Sequence, residues 1–392
     1  MNDAFILSAV RTPIGKYLGA LADVPAVDLG GRVLTEAMTR AKLDPKAVDE
    51  VIMGVVLQAG LGQNPARQAA LKAGLPDTIA ALTVNKVCGS GLKAVMLAAQ
   101  AVRAGDADIV LAGGMESMSR APHLLFNTRG GWKLGDQKAV DAMVHDGLWC
   151  AFENWHMGEA AEHIATKCGL TRGEQDRFAV QSQQRAAAAW KDGAFAAEVV
   201  PVTVGAGAKA KTFAQDEGFR ADASIDALAK LRPAFRDGGT VTAGNASMLS
   251  DGAAAVAVAS WRGVEKLGVN PLARVVAYAT SGIAPKDIFL APVGAVRQVL
   301  DKAKLAIGEI DLFELNEAFA AQMLACNLDL QIDEAKINVH GGAIALGHPI
   351  GASGTRVLAT LLHAMEKRNA RRGLAALCLG GGNAVAMIVE KG

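Results

Sequence analysis

Apolar residues along the chain form strand-length runs that alternate with segments of helical spacing. The predicted strands cover residues 4–10, 51–57, 107–114, 273–280, 311–316, 374–381 and 384–390. The predicted helices cover residues 29–43, 91–105, 174–190 and 293–305, where apolar residues recur every three to four positions. Because the strands are apolar throughout, helices should cover both faces of their sheets, and the pattern predicts an α/β protein.

The two ends of the chain repeat one pattern. A predicted helix ends in the residues AKL in each half, followed at the same spacing by Asp49 or Asp311, and each aspartate precedes a strand. SGLKAVMLAAQA at 90–101 then matches SGTRVLATLLHA at 353–364, each a glycine-rich turn that enters a helix. Matches in the same order and structural context predict two related α/β halves.

The repeat divides the chain into three predicted parts. Residues 1–118 form an N-terminal half that about 250–269 completes, and residues 270–392 form a C-terminal half. Residues 119–249 between them carry four of the five tryptophans and few strand-like runs. An insertion of this length is more often functional than a linker.

Composition narrows the functional classes. The net charge is +1, from 40 basic and 39 acidic residues, so no nucleic-acid or membrane partner is expected. The five cysteines show no metal-ligand spacing, which favours a reducing compartment and predicts no metal site. The chain has no signal-like start and no apolar run of about 18 residues. We therefore expect a cytoplasmic protein.

Cys88 stands in NKVCGSGLKAV (85–95), at the glycine-rich start of a predicted helix. The unpaired N–H groups and partial positive charge there should lower its thiol pKa from about 8.5 towards neutrality. Gly89 and Gly91 should let a ligand approach the backbone closely. A buried cysteine that fills a corner of the core is the alternative, and the residues alone leave both interpretations open.

His348 occupies the corresponding turn of the second half, in NVHGGAIALGHPIGASG (338–354). Packing of two related halves would bring this turn close to Cys88, and a neighbouring histidine commonly activates a thiol. A turn histidine bonded to nearby backbone is the alternative.

Two further residues lie where predicted strands end. Cys378 precedes three glycines, whose N–H groups could surround an oxyanion, although this segment taken alone favours a buried strand cysteine. Asn316 could cap the following helix or hold a water or substrate carbonyl. The dinucleotide-binding, phosphate-loop and H-E-x-x-H motifs are absent, which disfavours a nicotinamide dehydrogenase, a P-loop NTPase and a zincin.

Five segments taken together resemble the thiolase family, and most closely its short-chain members. They are NKVCGSGLKAV, GGMESMSRAPH, NEAFAAQ, GGAIALGHPIGASGTR and CLGGG, spread in order over essentially the whole chain. The resemblance implies duplicated α/β halves with mixed sheets, layered α-β-α-β-α, and an inserted loop domain. It also implies condensation of two acetyl-CoA to acetoacetyl-CoA and CoA, and the reverse thiolysis, with no required cofactor.

The resemblance implies roles for individual residues. Cys88 would carry the acyl group as a thioester, and His348 would activate it and donate to a first oxyanion hole. Asn316 would hold the water that completes that hole. Cys378 would be the second acid/base, and the N–H groups of Cys88 and Gly380 would form a second oxyanion hole.

The resemblance also implies a path for coenzyme A. The matching residues are Leu148, His156, Met157, Arg220, Ala243, Gly244, Ser247, Ala318 and Phe319. Ile288, where the family commonly has methionine, leaves the acyl-chain limit open. Arg220 would lie beside the adenine, unless it is a solvated surface arginine. Residues 120–137 resemble the family's tetramerisation loop and imply a homotetramer.

Of three other functions, the first remains open, and the presence of Cys88, His348 and Cys378 disfavours the other two. A thiolase of broader chain length would degrade longer 3-ketoacyl-CoA esters. A decarboxylating ketoacyl synthase would lack a second catalytic cysteine, and a catalytically silent acyl-CoA-binding protein would lack Cys88, His348 or Cys378.

Overall fold

Strands and helices alternate through most of the chain. The structure, a computed structural model, describes residues 3–392. Its strands are β1 (Ala4–Arg11), β2 (Gly15–Lys16), β3 (Glu50–Gly54), β4 (Ala80–Val84), β5 (Ile109–Ser117), β6 (His123–Leu125), β7 (Ala139–Asp141), β8 (Trp149–Cys150), β9 (Trp155–His156), β10 (Val202–Val204), β11 (Lys211–Phe213), β12 (Ser250–Ser260), β13 (Ala273–Gly282), β14 (Leu312–Leu315), β15 (Arg372–Leu379) and β16 (Asn383–Lys391). Its α-helices are α1 (Ala26–Arg40), α2 (Pro65–Lys72), α3 (Ser90–Ala104), α4 (Met157–Lys167), α5 (Arg172–Lys191), α6 (Ile225–Ala229), α7 (Trp261–Leu267), α8 (Ala291–Ala303), α9 (Ala320–Leu330), α10 (Ala343–Leu346) and α11 (Ser353–Arg368).

The main sheet consists of two halves with the same topology. In the first half β12 pairs antiparallel with β1 and β5, while β5, β3 and β4 run parallel. In the second half β16 pairs antiparallel with β13 and β15, and β15 runs parallel to β14. The halves join where β1 pairs with β13 over two register positions. The predicted α/β fold with duplicated, mixed-sheet halves is confirmed.

The repeat extends to hydrogen bonds at the strand ends. Asp49 Oδ2 accepts the backbone N–H groups of Asp108 and Ile109, at 2.8 and 2.9 Å, where β5 begins. Asp311 Oδ2 accepts the two N–H groups at the start of β15, both at 2.8 Å. Each carboxylate therefore fixes two neighbouring parallel strands of its own half in register.

The layers explain why the strands are apolar on both faces. Helices α3 and α11 lie between the two half-sheets, while α1 and α2 cover the outer face of one half and α8 and α9 that of the other. Strand β5 shows the result, because Val110 and Ala112 face the inner helices and Leu111 and Met115 face the outer ones. Each fully buried Leu, Val or Met side chain stabilises the fold by about 1.5–3 kcal/mol.

The inner helices meet at their N-terminal turns. A Cβ atom at Gly91 on α3 would lie 2.8 Å from the backbone N of Thr355 on α11. A side chain at Gly354 on α11 would collide with the backbone of Leu92 on α3. The absence of side chains at both positions lets the turns before the two helices come close together.

The segment between β5 and β12 folds as short hairpins and helices. Strands β6–β7, β8–β9 and β10–β11 form three two-stranded sheets, and α4 packs on α9 while α5 packs on α6, α9 and α10. Among residues 3–392, no helix has the length and apolar character needed to cross a membrane.

Candidate active site

The turn before α3 is held by its own side chains. Ser90 Oγ accepts the N–H of Lys86 at 2.8 Å and donates to the carbonyl of Val87 at 2.6 Å. Val87 has a φ of 48°, which is strained for a β-branched residue, and these bonds help to hold it there. Cys88 follows immediately, so its direction is set by a rigid turn.

The glycines after Cys88 pack against the second half of the protein. Gly91 faces Thr355, and a side chain at Gly89 would collide with Leu379. The prediction that both glycines make room for a ligand is therefore wrong, because the space beside them is filled by protein.

His348 is buried in the turn that precedes α11. Its Nδ1 lies 2.6 Å from the hydroxyl oxygen of Ser353, and that hydroxyl donates to the carbonyl of Pro349 at 2.9 Å. A hydroxyl that donates to the carbonyl must accept from the imidazole, since it has one hydrogen. The arrangement favours a proton on Nδ1 and leaves the Nε2 lone pair free to act as a base.

Cys378 lies near the end of β15, in a hairpin closed by three glycines. Gly381 and Gly382 have φ values of 81° and 83°, in the left-handed region that glycine adopts without strain. The backbone N–H groups of Gly380 and of Cys88 itself lie near the Cys88 sulfur and act to lower its pKa, against the larger effect of burial. These are the two groups predicted for the second oxyanion hole.

One cavity of about 500 Å³ joins these groups. Cys88, His348, Cys378 and Gly380 all contribute to its wall. Eight residues predicted to line the acyl and coenzyme A path also line it: Leu148, His156, Met157, Ala243, Ser247, Ile288, Ala318 and Phe319. The volume lies in the range of pockets that enclose a small organic ligand.

Three predicted site residues lie outside the cavity wall. Arg220 is exposed, and Gly244 packs against Leu228 and Leu231. Asn316 is buried behind the imidazole, with its Nδ2 3.5 Å from Nδ1 of His348. The alternative that Asn316 caps a helix is wrong, because the N-cap residue of α9 is Phe319.

Burial keeps the reactive side chains uncharged. It raises the pKa of Cys88 to about 12, despite the two N–H donors, with a smaller contribution from the Glu116 carboxylate. Burial and then the neighbouring Cys88 thiol raise the pKa of Cys378 well above its usual value. Burial, followed by the charge of Arg356, lowers the pKa of His348 to about 3. The predicted lowering of the Cys88 pKa by the helix is therefore wrong, because desolvation outweighs it.

Glu116 supports the site and was not predicted. Its carboxylate accepts the N–H groups of Val56, Leu57 and Gly351, at 3.1, 3.2 and 2.9 Å, and so ties β5 to the turn that carries His348. Burial raises its pKa to about 7. An acidic residue inside an otherwise apolar strand is the sequence signal that could have identified it.

The fold and the cavity define an α/β enzyme whose site combines the thiols of Cys88 and Cys378 with the imidazole of His348. Residues 4–262 match the family model described as thiolase, N-terminal domain, and residues 269–391 match thiolase, C-terminal domain. The chain belongs to the thiolase family, whose members transfer acyl groups.

Relatives match the chain over its full length. An acetyl-CoA acetyltransferase of Escherichia coli (strain K12) is 54% identical over 392 residues, and one of Cupriavidus necator is 53% identical, each covering 100% of both chains. A crystal structure of the Bacillus anthracis acetyl-CoA acetyltransferase has a TM-score of 0.98 at 41% identity, covering 100% of this chain and 99% of that one.

Proposed function

We propose that the chain is an acetyl-CoA C-acetyltransferase that forms acetoacetyl-CoA from two acetyl-CoA molecules and catalyses the reverse thiolysis. The observation that carries the proposal is the presence of Cys88, His348 and Cys378 in the wall of one apolar cavity. Relatives named acetyl-CoA acetyltransferase support the choice of acyl group. No cofactor is required, and coenzyme A acts as substrate and product.

In the first half-reaction, Cys88 attacks the thioester carbonyl of acetyl-CoA. A bond forms between its sulfur and the acetyl carbon, and the bond from that carbon to the CoA sulfur breaks. His348 Nε2 takes the thiol proton and returns it to the leaving CoA sulfur. Because both groups are neutral at rest, proton transfer accompanies attack, and no thiolate–imidazolium pair has to be maintained beforehand.

In the second half-reaction, Cys378 would first pass its thiol proton to the neutral His348 in the wall of the same cavity, and the resulting thiolate would remove an α-proton from a second acetyl-CoA. The resulting carbanion attacks the acetyl carbonyl on Cys88, the new carbon–carbon bond forms, and the Cys88 sulfur leaves. The α-proton stays on Cys378 and His348 returns its proton to the Cys88 sulfur, so both thiols and the neutral imidazole are restored. A thiol with a raised pKa is a stronger base once deprotonated, which suits the weakly acidic thioester α-proton.

Donors around the sulfur of Cys88 would stabilise the developing oxyanions. The backbone N–H groups of Cys88 and Gly380 lie near that sulfur and would bind the carbonyl oxygen of the acetyl group carried on it, which becomes an oxyanion when the carbanion attacks. A donor of this kind typically contributes about 3–4 kcal/mol to transition-state stabilisation. Asn316 would act on the first oxyanion hole from behind His348, through a water.

The rest of the cavity would hold the acyl and pantetheine groups of the substrate, with Ile288 closing the acyl end. Arg220 and Gly244 would contact the outer part of coenzyme A. Residues 120–137 expose Leu125, Phe126, Trp132 and Leu134, whose exposed fractions are 50%, 49%, 50% and 107%. Such an apolar surface supports assembly into a homotetramer through this loop.

Incubation with acetyl-CoA radiolabelled in its acetyl group tests the roles assigned to the two cysteines. We expect one acetyl group on the peptide that contains Cys88 in the wild-type protein. Cys378→Ala should still acquire this label but should form acetoacetyl-CoA about 10²–10⁴-fold more slowly, because it lacks the second base. Cys326→Ala is the matched control, since Cys326 is an equally buried thiol outside the cavity, and both half-reactions should persist. A label on Cys378, or normal condensation by Cys378→Ala, would contradict the proposed roles.

A further inference from the structure

A buried ion pair lies behind the candidate active site, outside the cavity wall. Arg356 on α11 is 1% exposed, and its Nη1 donates to Glu314 Oε1 at 3.0 Å. Its Nη2 lies 3.5 Å from the side-chain oxygen of Asn316, whose Nδ2 lies 3.5 Å from Nδ1 of His348. A continuous series of side chains therefore leads from the ion pair to the imidazole.

The backbone explains why these groups meet. Glu314 lies in β14, and Asn316 continues the strand by donating its N–H to the carbonyl of Ala376 at 3.0 Å. Residues two apart in an extended strand point to the same face. That face of β14 packs against α11, where Arg356 lies one turn after Ser353, the partner of His348 Nδ1.

The pair is poorly suited to a purely structural role. A buried ion pair is often no more stabilising than apolar side chains of the same volume. Moreover, within residues 3–392 the Nε atom of Arg356 is buried and has no hydrogen-bond partner, which is unfavourable. A function of the guanidinium would account for its presence.

We infer that Arg356, paired with Glu314, is a positioning residue that acts on His348 through Asn316. This inference rests on the proposed function. The guanidinium holds the oxygen side of the Asn316 amide, because the reversed amide would place its NH₂ group against another donor. The amide nitrogen then lies 3.5 Å from Nδ1 of the imidazole, in a packing contact without a hydrogen bond because Nδ1–H donates to Ser353, and this contact restricts rotation of the ring. The positive charge of Arg356 also opposes protonation of the resting His348.

Arg356→Lys is the principal test, because it preserves the charge and has one ammonium group that cannot replace both arms of the guanidinium. We expect single-turnover acetylation of Cys88 to slow by about 10–100-fold, while the KM for acetyl-CoA changes less than twofold, since Arg356 does not line the cavity. Arg103→Lys is the matched control. Arg103 is a partly buried arginine on α3 that donates to the carbonyls of Val275 and Val276, and this variant should acetylate at the wild-type rate.

A second variant, Arg356→Met combined with Glu314→Gln, removes the pair without leaving a buried carboxylate unpaired, and it should show the same loss. Alkylation of Cys88 by iodoacetamide gives a readout that needs no acyl-CoA, and it should slow in parallel because His348 accepts the thiol proton in both reactions. If either variant, folded by circular dichroism, reacts at the wild-type rate, the inference is wrong. A wild-type protein that alkylates normally but takes up no acetyl group would overturn the proposed function instead.

Discussion

The hydroxyl of Ser353 provides the sharpest test of how His348 is held. In Ser353→Ala the imidazole loses its 2.6 Å partner, and the buried Nδ1–H has no acceptor there. An unsatisfied buried donor costs about 1–3 kcal/mol, and a neutral ring can avoid this cost by moving its proton to Nε2. That tautomer has no lone pair facing the cavity, so the substitution should act directly on proton removal from Cys88.

The cost of the unsatisfied Nδ1–H also sets the expected loss of activity in Ser353→Ala. If it falls on the transition state, kcat/KM for thiolysis of acetoacetyl-CoA should decrease by about 10–100-fold, because 1.36 kcal/mol corresponds to tenfold. Thiolysis is followed by the loss of acetoacetyl-CoA absorbance, and apparent melting temperature is measured alongside.

Thr355→Val is the matched control for this experiment. Its hydroxyl lies two residues further along α11, is buried and has no hydrogen-bond partner among the described residues. Its replacement by a methyl group of similar shape should leave activity unchanged. The assignment of His348 as the base would be refuted if Ser353→Ala reacted within twofold of the wild-type rate. It would also be refuted if Thr355→Val lost as much activity as Ser353→Ala.

Two other predictions follow from burial. Ile288→Ala should raise kcat/KM for a six-carbon 3-ketoacyl-CoA relative to acetoacetyl-CoA by about tenfold. The reason is that Ile288, which is 2% exposed, lines the cavity, and its truncation enlarges that cavity. An unchanged ratio would mean that another residue limits the chain length. The folded-state pKa of Glu116 is raised from 4.5 to about 7, so between these values the folded protein holds a proton that the unfolded chain has released. Its contribution to stability should therefore fall by about 3 kcal/mol as pH rises through this window. Melting temperatures from pH 4.5 to 8 should show a flatter profile for Glu116→Gln, and identical profiles would disprove the linkage.

The fold was predictable because the relevant signals are local and repeated. Continuous apolar strands between amphipathic helices indicated sheets covered on both faces, and Asp49 and Asp311 marked equivalent strand starts. The equivalent hydrogen bonds that these aspartates form show that the repeat is present in the structure as well as in the sequence. The short hairpins between β5 and β12 were not predicted, since strands of two or three residues carry no periodicity.

The sequence predicted which reactive residues form the site better than it predicted their protonation. Cys88, His348 and Cys378 were recognisable from glycine-rich turns at the ends of predicted elements, and the structure brings all three to one cavity. Their protonation was mispredicted for Cys88, because the helix dipole is a local property whereas desolvation depends on everything packed around the thiol.

The groups that support the site were missed for a related reason. Glu116 and Arg356 act on residues that are distant in sequence, and only the folded backbone shows which ones. A charged residue in an apolar run indicates that some buried partner exists, but it does not identify that partner.

The contact between Gly91 on α3 and Thr355 on α11 has a consequence for the origin of the chemistry. Two identical halves packed in this way would present identical turns to each other, because any substitution in one copy would also occur in the other. Fusion into one chain removes this constraint, since the two copies can then change independently. One turn could then acquire the nucleophile and the other its base. The reactive pair exists only where the two halves meet, and neither half contains it alone.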